Sequence, residues 1–132
     1  MYVTHIVIKS KYNRLVLDID SGEHGGNVIT YPKHGAQNQL WKWKDGSLIS
    51  KMGYAMDVKD GNPEEGTNVI SWEPHGGENQ KWRMEGDKIF SEFNGMVLDI
   101  SGGSYDSKAE IIVWPLKSSE EVDNQSWELE LD

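Results

Sequence analysis

Asn38-Gln39-Leu40-Trp41, Asn79-Gln80-Lys81-Trp82 and Asn124-Gln125-Ser126-Trp127 share the form Asn-Gln-x-Trp. Gln39 and Gln80 lie 41 residues apart, and Gln80 and Gln125 lie 45 apart. A period in that range is the mark of a chain assembled from copies of one supersecondary unit. Working outward, two further patterns run in phase. Upstream stand Val16-Leu17-Asp18-Ile19, Ala55-Met56-Asp57-Val58 and Val97-Leu98-Asp99-Ile100, each with an acid between apolar neighbours. Between acid and Gln come Val28-Ile29-Thr30-Tyr31, Val69-Ile70-Ser71-Trp72 and Ile111-Ile112-Val113-Trp114, β-rich runs that end in an aromatic.

The order is kept three times, which defines units at roughly residues 3–46, 47–87 and 88–132 of a single domain spanning 1–132. Asp45-Gly46, Asp60-Gly61-Asn62-Pro63, Gly76-Gly77 and Gly102-Gly103 punctuate them as turns, and no long segment keeps a helical period. About a dozen short strands in three copies suit a closed structure better than a propeller, which usually needs at least four blades. The expected fold is all-β, a β-trefoil of three homologous subdomains with pseudo-threefold symmetry.

Composition narrows the functional classes. The chain has 132 residues, 13 Lys+Arg against 22 Asp+Glu, a formal charge of −9 and no cysteine. The charge argues against nucleic acid, whose affinity comes mainly from basic side chains. Apolar runs of only a few residues exclude a membrane-spanning helix, so no direct membrane insertion is expected. Without cysteine there are no disulfides, thiol nucleophiles or thiolate metal sites. No His-x-x-x-His metal spacing, phosphate loop or Ser/His/Asp signature is present. Neither a metal nor a cofactor is expected. Met1 to Ser10 lacks a signal-peptide pattern, because Thr4, His5 and Lys9 interrupt it. The expectation is a cytoplasmic protein or one released by a route without a signal peptide. Met1 and three complete units lead us to expect a free-standing chain.

Trp41, Trp82 and Trp127 recur once per unit and are expected to fill the core. If Leu17, Ile19, Met56, Val58, Leu98 and Ile100 also face inward, the period of two turns Asp18, Asp57 and Asp99 to the opposite face.

Asn-Gln-x-Trp repeated behind a Leu-Asp-Ile-like strand resembles the ricin B-chain-like (R-type) lectins over almost the whole chain. Spacing and lack of cysteine are most similar to the small, single-trefoil, galactose-binding members. The resemblance implies binding of glycans, glycoproteins or glycolipids that end in galactose or N-acetylgalactosamine. Asp18, Asp57 and Asp99 suit this as acceptors for two adjacent hydroxyls. Tyr31, Trp72 and Trp114 would take the C–H face that the axial 4-hydroxyl leaves on galactose. Asn38, Asn79 and Asn124 would complete a hydroxyl's bonding, while Gln39, Gln80 and Gln125 hold the carboxylate from behind. His34, His75 and Lys117, three residues beyond the aromatic, match the imidazole or basic position of galactose-binding members. Main chain at Ser21, Asp60 and Gly102 adds weaker candidates.

Two units depart from the pattern. Tyr31 offers a smaller platform than Trp, and the third unit has three more residues between aromatic and Gln, among them acidic ones. The second unit, with Asp57, Trp72, His75, Asn79 and Gln80, is therefore the expected principal site. An enzyme is not expected, since catalysis needs a unique constellation and the acids here are repeated. The alternative is a trefoil that contacts proteins, as an inhibitor or scaffold, with few or no active sugar sites.

Overall fold

The computed structural model describes residues 4–132, so the start of the first unit at residue 3 lies outside the described residues. Among the described residues twelve strands follow one another: β1 Ile6–Ser10, β2 Val16–Ile19, β3 Val28–Tyr31, β4 Trp41–Lys44, β5 Ser47–Ser50, β6 Ala55–Val58, β7 Val69–Trp72, β8 Trp82–Glu85, β9 Lys88–Ser91, β10 Val97–Ile100, β11 Ile111–Trp114 and β12 Trp127–Leu131. Among the described residues the helical segments are short 3-10 turns, and turns and loops make the other connections. The fold is a β-trefoil.

Its barrel closes through the ends of the chain, where β1 pairs antiparallel with β12 from Ile6 opposite Leu131 to Ser10 opposite Trp127. The hairpins β4–β5 and β8–β9 continue the wall. Ile6 opposite Trp41, the bond from Trp82 N–H to Gly46 O and that from Trp127 N–H to Asp87 O join successive elements at equivalent places. Three further hairpins, β2–β3, β6–β7 and β10–β11, cap one end and touch through bridges Asn27–Ile70, Ile29–Glu110 and Asn68–Ile112.

The core is made of symmetric sets. Ile8, Leu48 and Ile89 form one, Leu17, Met56 and Leu98 another, and Trp41, Trp82 and Trp127 a third, all buried. Each Trp also donates its indole N–H to a cap strand, to Leu17 O at 3.3 Å, Met56 O at 3.1 Å and Leu98 O at 3.2 Å. Repeating one large aromatic per unit therefore both fills the barrel and pins the cap, satisfying the only polar atom that the ring buries.

Beneath the third unit lies a feature without counterpart in the others. Lys88 is 2% exposed, and its ammonium donates to Ser126 Oγ at 2.8 Å, Glu121 O at 3.0 Å and Asp123 Oδ1 at 3.3 Å. Three donors meet three acceptors, so the buried charge is paired and bonded.

Candidate carbohydrate site

The antiparallel register assembles the recesses. Asp18 lies opposite Ile29, Asp57 opposite Ile70 and Asp99 opposite Ile112. Tyr31, Trp72 and Trp114 stand two residues further along the partner strand, hence on the same face as the acids. Each Asp, its isoleucine and its aromatic line one recess, of about 200 Å³ in the first unit, 330 Å³ in the second and 530 Å³ in the third. The recess of the third unit is the largest despite its altered loop.

The acids do face away from the core, but at 3% exposure each they are enclosed rather than solvated. Gln39 donates to Asp18 Oδ2 at 2.8 Å, Gln80 to Asp57 Oδ2 at 2.8 Å and Gln125 to Asp99 Oδ2 at 2.9 Å. The same amides donate to Pro32 O, Glu73 O and Pro115 O. Their oxygens accept the main-chain N–H of His34, His75 and Lys117. Buried and fully bonded, the glutamines position the site without facing it.

The asparagines differ from expectation. Asn38 donates to Asp18 Oδ1 and Ile19 O, Asn79 to Asp57 Oδ1 and Val58 O, and Asn124 to Asp99 Oδ1 and Ile100 O. Both amide hydrogens are thereby engaged, which leaves the carbonyl oxygen of Asn38 and Asn79 open, while that of Asn124 accepts a bond from Lys117. Without a ligand, the adjacent carboxylate and the strand-end carbonyl share the amide donors, so a hydroxyl that takes a bond from the amide competes with them. Each carboxylate oxygen, in turn, accepts one of these bonds and keeps a lone pair for a ligand hydroxyl.

His34 Nδ1 accepts the Ala36 N–H at 3.1 Å and His75 Nδ1 accepts the Gly77 N–H at 2.9 Å, which places the neutral ring's proton on Nε2. Nε2 stands 3.5 Å from Asp18 Oδ2 and 3.7 Å from Asp57 Oδ2, too far for a good hydrogen bond and suited to donating to a group held between them. In the third unit Lys117 Nζ donates to Asn124 Oδ1. Its three extra residues leave the register of Lys117 and Gln125 intact, as the bond between Lys117 N–H and Gln125 Oε1 at 3.0 Å requires.

Burial pushes the Asp18, Asp57 and Asp99 carboxyls above the ordinary carboxylate range. The bonds from the glutamines, and the electrostatic pull of the neighbouring His34, His75 and Lys117 side chains, oppose this without overcoming it.

Ser21, Asp60 and Gly102 also line the recesses, at left-handed φ of 56°, 58° and 65°. These turns bend the chain after the acid strand and bring the three residues to the edge of the recesses.

Each aromatic is backed by the preceding unit, an arrangement that the repeats do not reveal individually. Gly25 donates to Ser71 O and packs on Trp72, and Gly66 donates to Val113 O and packs on Trp114. Lys108 takes the equivalent place, donating its main-chain N–H to Thr30 O, and lines the first recess beside Tyr31. A further neighbour of Trp72 is His24, with ring centroids 4.4 Å apart.

This fold and threefold site define the class. The chain belongs to the ricin-type β-trefoil lectin domain family, whose profile matches residues 4–127. Among solved structures it is similar to the designed threefold-symmetric protein ThreeFoil, with 30% identity, 96% of each chain covered and a TM-score of 0.82. The C-half of the earthworm R-type lectin, solved in complex with GalNAc, shares 25% identity over 98% of this chain and 100% of that one, with a TM-score of 0.79. The β-trefoil lectin of the Vibrio vulnificus hemolysin/cytolysin, solved with N-acetyl-D-lactosamine bound, shares 25% identity over 99% and 97% of the two chains, with a TM-score of 0.75. No curated protein matches the sequence.

Proposed function

We propose that this lectin-family chain binds terminal galactose or N-acetylgalactosamine through up to three sites and acts as a multivalent agglutinin without catalytic activity. The observation that carries this reading is the threefold recurrence of a carboxylate held by Gln and Asn beside an aromatic on one face. The two lone pairs left on each carboxylate match two adjacent sugar hydroxyls. The aromatic matches the C–H patch of the ring, and the Nε2–H of His34 or His75 adds a donor. GalNAc and N-acetyl-D-lactosamine in the earthworm and Vibrio structures support the same sugar class.

A single shallow site of this kind binds on the order of 1 mM, or about −4 kcal/mol. Sites fixed on one rigid body raise avidity ~10²–10⁴-fold toward a dense glycan surface. Acidic charge at the rims favours neutral glycans over sialylated or sulfated ones. A glycan array on which sialylated forms outbind their asialo parents would contradict that preference.

The test is agglutination of erythrocytes. The parent protein is expected to agglutinate them and to be inhibited by free lactose. The combined substitutions Asp18→Asn, Asp57→Asn and Asp99→Asn are expected to abolish the effect, and unchanged agglutination would disprove the site assignment.

A further inference from the structure

The third recess has a wall that the other two lack. Tyr12, in the turn after β1, crosses from the first unit to the third, where its hydroxyl donates to Gly103 O at 2.6 Å. Its ring stacks on Tyr105 with centroids 4.3 Å apart and planes 19° from parallel. Asn13 beside it donates to Ser104 O, fastening the same two loops. Tyr12 lines the recess together with Asp99, Trp114 and Lys117. Tyr105 contributes little to the core, being 67% exposed, and its ring lies against that of Tyr12.

The equivalent residues of the other units make no such wall. Met52 packs under the Gly22 turn of the first unit, and Phe93 does not line the second recess. The second and third recesses thus have the same acid, amide and tryptophan but differ in volume, 330 Å³ against 530 Å³, and the larger one adds Tyr12 and, from the lengthened loop, Asp123 to its lining. Half-buried Tyr12 lines the recess and exposed Tyr105 stacks upon it, so the pair extends the recess as a preorganised surface for the apolar face of another sugar ring, since little side-chain freedom is lost on stacking.

We infer that Tyr12 and Tyr105 form a second sugar subsite of the third recess, which receives the residue next to a terminal galactose-type sugar. The third site therefore reads a disaccharide where the second reads a monosaccharide. This inference rests on the galactose-type reading of the recesses.

The experiment follows the indole N–H signals of Trp72 and Trp114 by NMR, which report the second and third recesses separately, during titrations with methyl β-galactoside and with lactose. At Trp114, lactose is expected to bind roughly two- to ten-fold more tightly than the methyl galactoside, the range of one aromatic stacking contact. At Trp72 the two ligands are expected to bind alike. Tyr105→Ala, at an exposed position, is expected to bring the Trp114 ratio down to that at Trp72 while leaving methyl galactoside affinity unchanged. Equal ratios at both recesses, or a Trp114 ratio indifferent to Tyr105→Ala, overturns the subsite alone. Silence of both indoles toward both sugars overturns the galactose reading and the subsite with it.

Discussion

Gln80 donates to Asp57 Oδ2 at 2.8 Å while its own oxygen accepts the His75 N–H at 2.9 Å, so one buried amide orients both the acid and the imidazole of the second recess. Gln39 and Gln125 do the same for Asp18 with His34 and for Asp99 with Lys117. The link explains why the Gln of Asn-Gln-x-Trp recurs although it touches no ligand space. It fixes a carboxylate that no cation neutralises at hydrogen-bond distance.

Gln80→Met leaves Asp57, the Glu73 carbonyl and the His75 N–H each short of a partner. The expected loss of stability is about 1–3 kcal/mol, the cost of leaving buried polar groups unmatched. Urea unfolding measures it, and sugar titration is expected to lose the response of Trp72 but retain that of Trp114.

The pH dependence has two opposite signs. Because burial raises the Asp18, Asp57 and Asp99 carboxyls, the folded chain holds their protons more tightly than the unfolded chain. Their contribution to stability is full below the unfolded value and is lost as pH rises through the folded one. Sugar binding needs the carboxylates as acceptors and so weakens as pH falls through the same window, with a midpoint above the ordinary Asp value of about 3.9. Calorimetric titration from neutral to acid pH tests the second statement. The first is tested by comparison with Asp57→Asn, relative to which the parent protein is expected to lose stability as pH rises.

Lys108 sits at φ 65° where the other units place Gly25 and Gly66, both also at positive φ. A non-glycine residue in this region costs roughly 1–2 kcal/mol, of which glycine's greater unfolded-state freedom offsets roughly half. Lys108→Gly is accordingly expected to stabilise the protein by about 0.5–1 kcal/mol in chemical denaturation. Gly25→Ala is expected to destabilise it, since the added methyl meets strained backbone and lies 3.4 Å from Trp72.

Lys88→Met keeps the chain's length but removes the ammonium that ties Glu121, Asp123 and Ser126 together. Loss of about 1–3 kcal/mol is expected from those orphaned acceptors. Weaker binding at Trp114 than at Trp72 is expected too, because the loop that presents Lys117 and Asn124 loses its anchor. Equal weakening at both would contradict a local role.

What the sequence could show was set by what one repeat does alone. Trp41, Trp82 and Trp127, the alternation around Asp18, Asp57 and Asp99, and the paired strands all follow from patterns within a unit, and these carry the trefoil. What it could not show arises between units. The backing of Trp72 by Gly25 and His24, the placing of Lys108 in the first recess and the passage of Tyr12 into the third depend on packing across the pseudo-threefold interfaces. The use of both Asn donors was likewise hidden, since it depends on the strand-end carbonyls of Ile19, Val58 and Ile100 lying within reach. Nothing in the repeats marks Lys88, although the lengthened third loop that it anchors is visible in the sequence.

The most direct test of the account is calorimetric titration of the protein with lactose, using glucose, whose 4-hydroxyl is equatorial, as the control. Saturable binding of lactose at more than one site per chain, with none for glucose, is the predicted result. Absence of lactose binding, or equal binding of both sugars, would contradict it.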